Sequence, residues 1–117
     1  MSQVNTLPFS KVRRAGGLVF LSGEMPIAPD GSIPEGIAAQ TSLTLDRIAA
    51  TLAGQGLGLD DIVSVTAYLV DPADFEAFNR VYASRFSDPL PVRTTVRAGL
   101  MLPAARIELT VIACQDA

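Results

Sequence analysis

Residues 62–70 read IVSVTAYLV, with Val63, Val65, Ala67 and Leu69 alternating with Ser64, Thr66 and Tyr68. That period of two is the signature of a strand. What constrains the fold is the company this strand keeps. Before it, Ile37, Thr41, Leu45, Ile48 and Leu52 recur on one face of a 3.6-residue period. After it, Phe75, Phe78, Tyr82 and Phe86 do the same, and the spacing reads as a core-facing stripe. Gly54, Gly56 and Gly58 close the first helix. Asp71 is placed to cap the second, with Pro72 at its first position.

Two short strands, 9–14 and 18–23, precede the first helix, and a Pro- and Gly-rich loop with room for a short edge strand joins them to it. Two more, 93–98 and 105–113, follow the second helix. The order is ββ(β)–α–β–α–ββ. This predicts one α+β domain over 1–117, a mixed β-sheet with two helices packed on one face. The other face of the sheet is left open. Charged residues make up 18% of the chain, below the roughly 25% of ordinary soluble proteins. Such an oily surface implies that another copy covers the open face.

The net charge is −3 and no basic run exceeds Lys11, Arg13 and Arg14, which argues against nucleic acid. No apolar run approaches the roughly 20 residues of a membrane span, and the first residues carry no secretion pattern, so the cytoplasm is the expected compartment. Cys114 is the only cysteine, which excludes an internal disulfide. It reads as a small buried hydrophobe rather than a nucleophile. The chain has no histidine. Ser-His-Asp and Cys-His mechanisms are therefore closed to it, and the zinc-ligand set is poor. Acid–base work falls to Asp, Glu, Tyr, Lys or a bound water.

The stretch LPVRTTVRAGLMLPAARIELTVIA sets three arginines and a glutamate among β-branched residues. If its two strands form a hairpin about Leu100 and Met101, Arg93 faces Glu108 and Thr95 faces Arg106. A one-residue slip sets Arg93 against Leu109, within the apolar row Ile107, Leu109, Val111. The charge-paired register has two readings. One is a cross-strand ion pair on a wet face, contributing about 0.2–1 kcal/mol. The other is a carboxylate-gripping arginine beside an acid–base glutamate. The residues alone leave both open. Arg97 and Arg106 are expected at solvent or a subunit contact.

The segments RAGGLVFLSGEMPIAPDGSI, LGLDDIVSVTAYLVDPADFEAFNRVYASRF and PVRTTVRAGLMLPAARIELTVIA resemble the Rid/YjgF family of reactive intermediate deaminases, also described as L-PSP endoribonucleases. The resemblance implies a chorismate-mutase-like fold. It also implies a homotrimer with a barrel-like core and ligand sites between subunits. It implies hydrolysis of imines and enamines such as 2-iminobutanoate, 2-iminopropanoate and 2-aminoacrylate to 2-keto acids and ammonia, with no cofactor and no metal. By the same resemblance Arg93 grips the substrate carboxylate and Glu108 handles water and protons. Gly23 lends a backbone N–H, and Thr95 and Asn79 lie beside the ligand. Phe9 stands where tyrosine is frequent, Glu24 where glutamine is common, and Lys11 where glutamine is frequent. Loss of the hydroxyl at Phe9 keeps a second reading in view, a non-catalytic trimeric binder of small 2-keto acids or related carboxylates.

Overall fold

The computed structural model describes residues 7–115. Strands β1 (Val12–Ala15) and β2 (Leu18–Leu21) form a hairpin with Ala15 opposite Leu18. Gly16 and Gly17 make its two-residue turn at φ of 58° and 81°, a left-handed pair that residues bearing a Cβ adopt only with strain. Helix α1 (Ile37–Ala53) follows the Pro-rich loop, and strand β3 (Ile62–Leu69) follows a short 3₁₀ turn. Asp71 accepts a hydrogen bond from the Ala73 N–H at 2.9 Å and caps another 3₁₀ turn, Pro72–Asp74, which leads into α2 (Phe75–Arg85). Strands β4 (Val92–Arg97) and β5 (Ile107–Cys114) complete the chain.

The five strands form one mixed sheet in the order β1-β2-β5-β3-β4. Strands β3 and β5 run antiparallel, with Val65 opposite Val111 and Ala67 opposite Leu109. Strand β4 lies on the far side of β3 and runs parallel to it. The expected hairpin of the last two strands therefore does not form: β3 lies between them. Two features account for this. Helix α2 is a crossover that returns the chain to pair β4 parallel with β3. The nine residues between β4 and β5 are long enough to step over one strand.

Both helices pack on one sheet face. Leu45, Ile48 and Leu52 of α1 and Phe78 of α2 are buried against Val19, Val65, Ala67, Ile107, Leu109 and Val111. The opposite face carries Thr66, Tyr68, Thr110 and Ile112, together with the exposed Phe20, Val92 and Val96. Among the described residues no helix or loop covers it.

Buried polar groups fix the loops. The Gln40 side-chain amide donates to the carbonyls of Pro34 (2.9 Å) and Ala104 (3.1 Å), and its oxygen accepts from the Arg106 N–H at 2.7 Å. Arg106 also forks onto the buried Asp74 carboxylate at 2.9 and 3.0 Å. Arg106 thus makes an ion pair within the chain while its side chain stays 44% exposed, in keeping with its expected place at solvent. Its side chain tethers the start of β5 to the turn before α2. Replacing Gln40 with the near-isosteric methionine strands three backbone groups. Gln40→Met is expected to cost about 2–3 kcal/mol in urea unfolding.

Candidate functional site

Strand β4 is an edge strand whose Arg93 and Thr95 point toward the helix side, beside Val65 and Ala67 of β3. The Arg93 guanidinium carbon lies 4.7 Å from the Tyr82 ring centre, 5.1 Å from Phe78 and 5.9 Å from Phe75. These rings come from one face of α2 at i, i+3 and i+7, so a single helix supplies the whole cradle. The stripe expected to be core divides its work. Phe78 and Tyr82 are buried, whereas Phe75 is 42% exposed and serves the arginine.

No carboxylate pairs with Arg93 among the described residues. An unpaired guanidinium on apolar rings, partly withdrawn from water, is a ready partner for an external anion. It opens onto a cavity of about 770 Å³ lined also by Asn79, Tyr82, Phe86, Asp88 and Leu90. Two buried hydroxyls nearby, Tyr82 Oη and Thr95 Oγ1, have no hydrogen-bond partner among the described residues. Burial pushes the Tyr82 phenol up from its ordinary value, and the Arg93 charge pulls it the other way.

Glu108 belongs to a different cluster. It sits on β5 opposite Tyr68, on the open face of the sheet. A cavity of about 280 Å³ adjoins it, lined by Tyr68, Leu100, Met101 and Thr110. Its carboxylate lies directly over Gly23: a Cβ there would come within 2.1 Å of Glu108 Oε2. Gly23 does not have positive φ, so close approach accounts for this glycine, rather than turn geometry. The Gly23 N–H has no partner among the described residues. Ser22 ties the preceding segment alongside, its hydroxyl donating to the Ser10 carbonyl at 2.6 Å and its N–H to that of Lys11 at 3.1 Å. Phe9, next in line, is 55% exposed. Desolvation, and secondly the charge of Glu24, raise the Glu108 carboxyl above the ordinary carboxylate range.

The structure thus separates residues that the expected hairpin would have joined. Arg93 lies opposite Val65 and Glu108 opposite Tyr68, not opposite each other. Two strand spacings and three residues of offset set their Cα atoms about 14 Å apart, on opposite sheet faces. Arg93, Asn79 and Thr95 form one cluster on the helix side; Gly23 and Glu108, with Phe9 nearby, form another. Glu24 belongs to neither cavity. It is buried and turned toward α1, where Arg47 donates to Oε1 and Lys11 lies 3.4 Å from Oε2.

Tyr82 and Arg47 are the two contributors that sequence reading passed over. Tyr82 was read only as core, although its spacing from Phe75 and Phe78 already marked the cradle face. Arg47 neighbours the inward stripe residues Leu45 and Ile48, but its partner Glu24 lies in the irregular loop before α1, where no periodicity speaks.

A carboxyl raised by folding stabilises the fold at low pH and loses that contribution as pH rises through its folded value. Glu108→Gln removes the penalty of holding a charge there. It is expected to raise Tm at about pH 7 and to leave it unchanged below about pH 4, where both states are protonated. Calorimetry across that range reads the difference.

Comparison with known proteins gives these features a family. The family described as Endoribonuclease L-PSP matches residues 3–115. The chain is 37% identical over 111 residues to protein mmf2, mitochondrial, of Schizosaccharomyces pombe, covering 92% of this chain and 88% of that protein. It is 33% identical to the chloroplastic Reactive Intermediate Deaminase A of Arabidopsis thaliana, covering 91% of this chain and 58% of the plant protein. The crystal structure of E. coli TdcF with bound serine superposes with a TM-score of 0.84 at 28% identity, over 94% of this chain and 90% of that one. RidA from an Antarctic Psychrobacter superposes with a TM-score of 0.87 at 26% identity, over 95% and 91% of the two chains. A five-stranded mixed sheet carrying two helices on one face, and a match over nearly the whole chain, make this protein a member of the Rid/YjgF (L-PSP) family.

Proposed function

We propose that the protein is a hydrolase of small 2-imino acids and their enamine tautomers, releasing 2-keto acid and ammonia. The observation that carries this reading is Arg93: a guanidinium with no carboxylate partner among the described residues, held on three rings at the mouth of a cavity. A substrate carboxylate completes it through two parallel hydrogen bonds. Relatives named as reactive intermediate deaminases, and a structural neighbour holding serine, support a small amino-acid-like ligand.

The chemistry asks little of the protein. Water adds to the electrophilic imine carbon, a proton passes to nitrogen, and the C–N bond of the carbinolamine breaks to give the ketone and ammonia. Positioning supplies most of the acceleration. Glu108, with its raised pKa, serves as the group that orients water and passes the proton. The unpartnered Gly23 N–H points to a role in holding ligand oxygen, and Asn79 and Thr95 line the arginine side.

Arg93 and Glu108 lie too far apart in one chain to touch the same three- or four-carbon substrate. We therefore read the complete site as shared between copies, Arg93 from one and Glu108 from the next, within the homotrimer the family resemblance implies. The uncovered sheet face bearing Phe20, Val92 and Val96 supports burial against another copy. Lack of a hydroxyl at Phe9 favours the second reading, a trimeric keto-acid binder without turnover.

Three measurements bear on this. With 2-aminoacrylate generated in situ, the protein is expected to accelerate keto-acid formation, and Arg93→Ala to lower kcat/KM about 100-fold. Keto-acid binding without acceleration selects the binder instead. Gly23→Ala is expected to displace the Glu108 carboxylate and lower kcat about 100-fold with little change in stability. Co-refolding Arg93→Ala with Glu108→Gln chains in equal amounts is expected to regain about one quarter of wild-type activity, because that share of shared sites would be intact. A site confined to one chain regains none.

A further inference from the structure

Glu24, like Asp74, is a buried ionisable group that the reaction above leaves unused. Its backbone is welded to β5 by reciprocal hydrogen bonds, Glu24 N–H to the Leu109 carbonyl at 2.8 Å and Leu109 N–H to the Glu24 carbonyl at 3.0 Å. Leu109 faces the helices, so Glu24 does too, and the residues next to each, Gly23 and Glu108, meet on the open side. Two carboxylates thus stand back to back at one strand junction, separated by the thickness of the sheet. Strand backbone lies between them, where charge is screened less than through bulk water.

The cations that answer Glu24 differ in kind. Arg47 is fixed: its Nε donates to Glu24 Oε1 and its terminal nitrogen to the Ile27 carbonyl. Lys11 is the only lysine of the chain; it approaches Oε2 at 3.4 Å from a largely exposed position. Within the same chain, among the described residues, the remaining surroundings of Glu108 offer no competing charge. Tyr68 faces it from β3, Arg106 two residues back is turned to Asp74, and the adjoining 98–101 loop has no ionisable side chain.

We propose that Glu24, gripped by Arg47 and Lys11 on the helix side of the β2–β5 junction, is a positioning residue that governs the charge on Glu108 across the sheet. The proposal rests on Glu108 as the proton-handling group for its meaning in catalysis, but not for its test. The direction of the Glu108 shift agrees with it, since Glu24 is the second cause after desolvation. Its effect is to keep the Glu108 carboxyl protonated to higher pH, where it can still deliver a proton to departing ammonia.

The experiment is a carbon-13 NMR titration of glutamate-labelled full-length protein. Only four glutamates are present, and Glu108→Gln assigns the relevant carboxyl by difference. Glu24→Gln is expected to lower the Glu108 midpoint, and Lys11→Met, which strips one cation from Glu24, to raise it. Shifts of opposite sign are the signature, since a general loosening of the fold would move both variants the same way. Lys11→Met alters an exposed side chain, so an unmoved midpoint there still overturns the proposal should Glu24→Gln fail to fold. An unmoved midpoint in Lys11→Met, or shifts of one sign, overturns the proposal. The pH profile of imine hydrolysis is expected to follow the NMR midpoints. Midpoints that move without the profile uphold the coupling and remove Glu108 from the proton-transfer role.

Discussion

The antiparallel ladder between β3 and β5 is the constraint on which everything else in this chain rests. It pairs the two longest strands along their apolar rows, Val65 with Val111 and Ala67 with Leu109, and buries them beneath α1. With β5 installed at the centre, β4 can only take the outer edge of β3. Its helix-side residues then come under α2, and an arginine at the second position of that strand lands on the aromatic face of the helix. The same ladder sends Glu108 to the far side, because successive side chains on a strand alternate. The separation of the two charged residues thus follows from sheet topology, before any chemistry is considered.

That separation gives each side group its own environment. Arg93 sits among rings that support its guanidinium without neutralising it. Glu108 is half-withdrawn against a glycine and a tyrosine, where ionisation is disfavoured. Within one protomer a cation and a carboxylate in adjacent strands would have quenched each other as an ordinary ion pair. Keeping them on opposite faces leaves both without an intrachain partner among the described residues.

Much of this was legible in the residues, and the misses have identifiable causes. The stripe from Ile37 to Leu52 reproduces the inner face of α1, and the alternation in IVSVTAYLV marks β3, because local periodicity and burial agree there. Strand partners are a different matter. The hairpin expectation assumed that neighbours in sequence are neighbours in the sheet, whereas pairing here is settled by a helical crossover and by the match of distant apolar rows. Arg93 and Glu108 stood out as rare charges in an oily chain, but the sheet sets them on opposite faces rather than opposite each other. The aromatic cradle was visible as a spacing but not as a cradle, since its guest lies on another element. The Glu24–Arg47 contact joins an irregular loop to a helix, and nothing in either segment announces the other.

The contact between Gly23 and Glu108 has a consequence for how such a chain can drift. With 2.1 Å between a hypothetical methyl carbon and the carboxylate oxygen, the two positions form a single unit of inheritance. A side chain at the glycine requires the acid at the other position to swing aside or be given up. Loss of the acid would restore steric freedom at the glycine, so the two positions are expected to change together rather than singly.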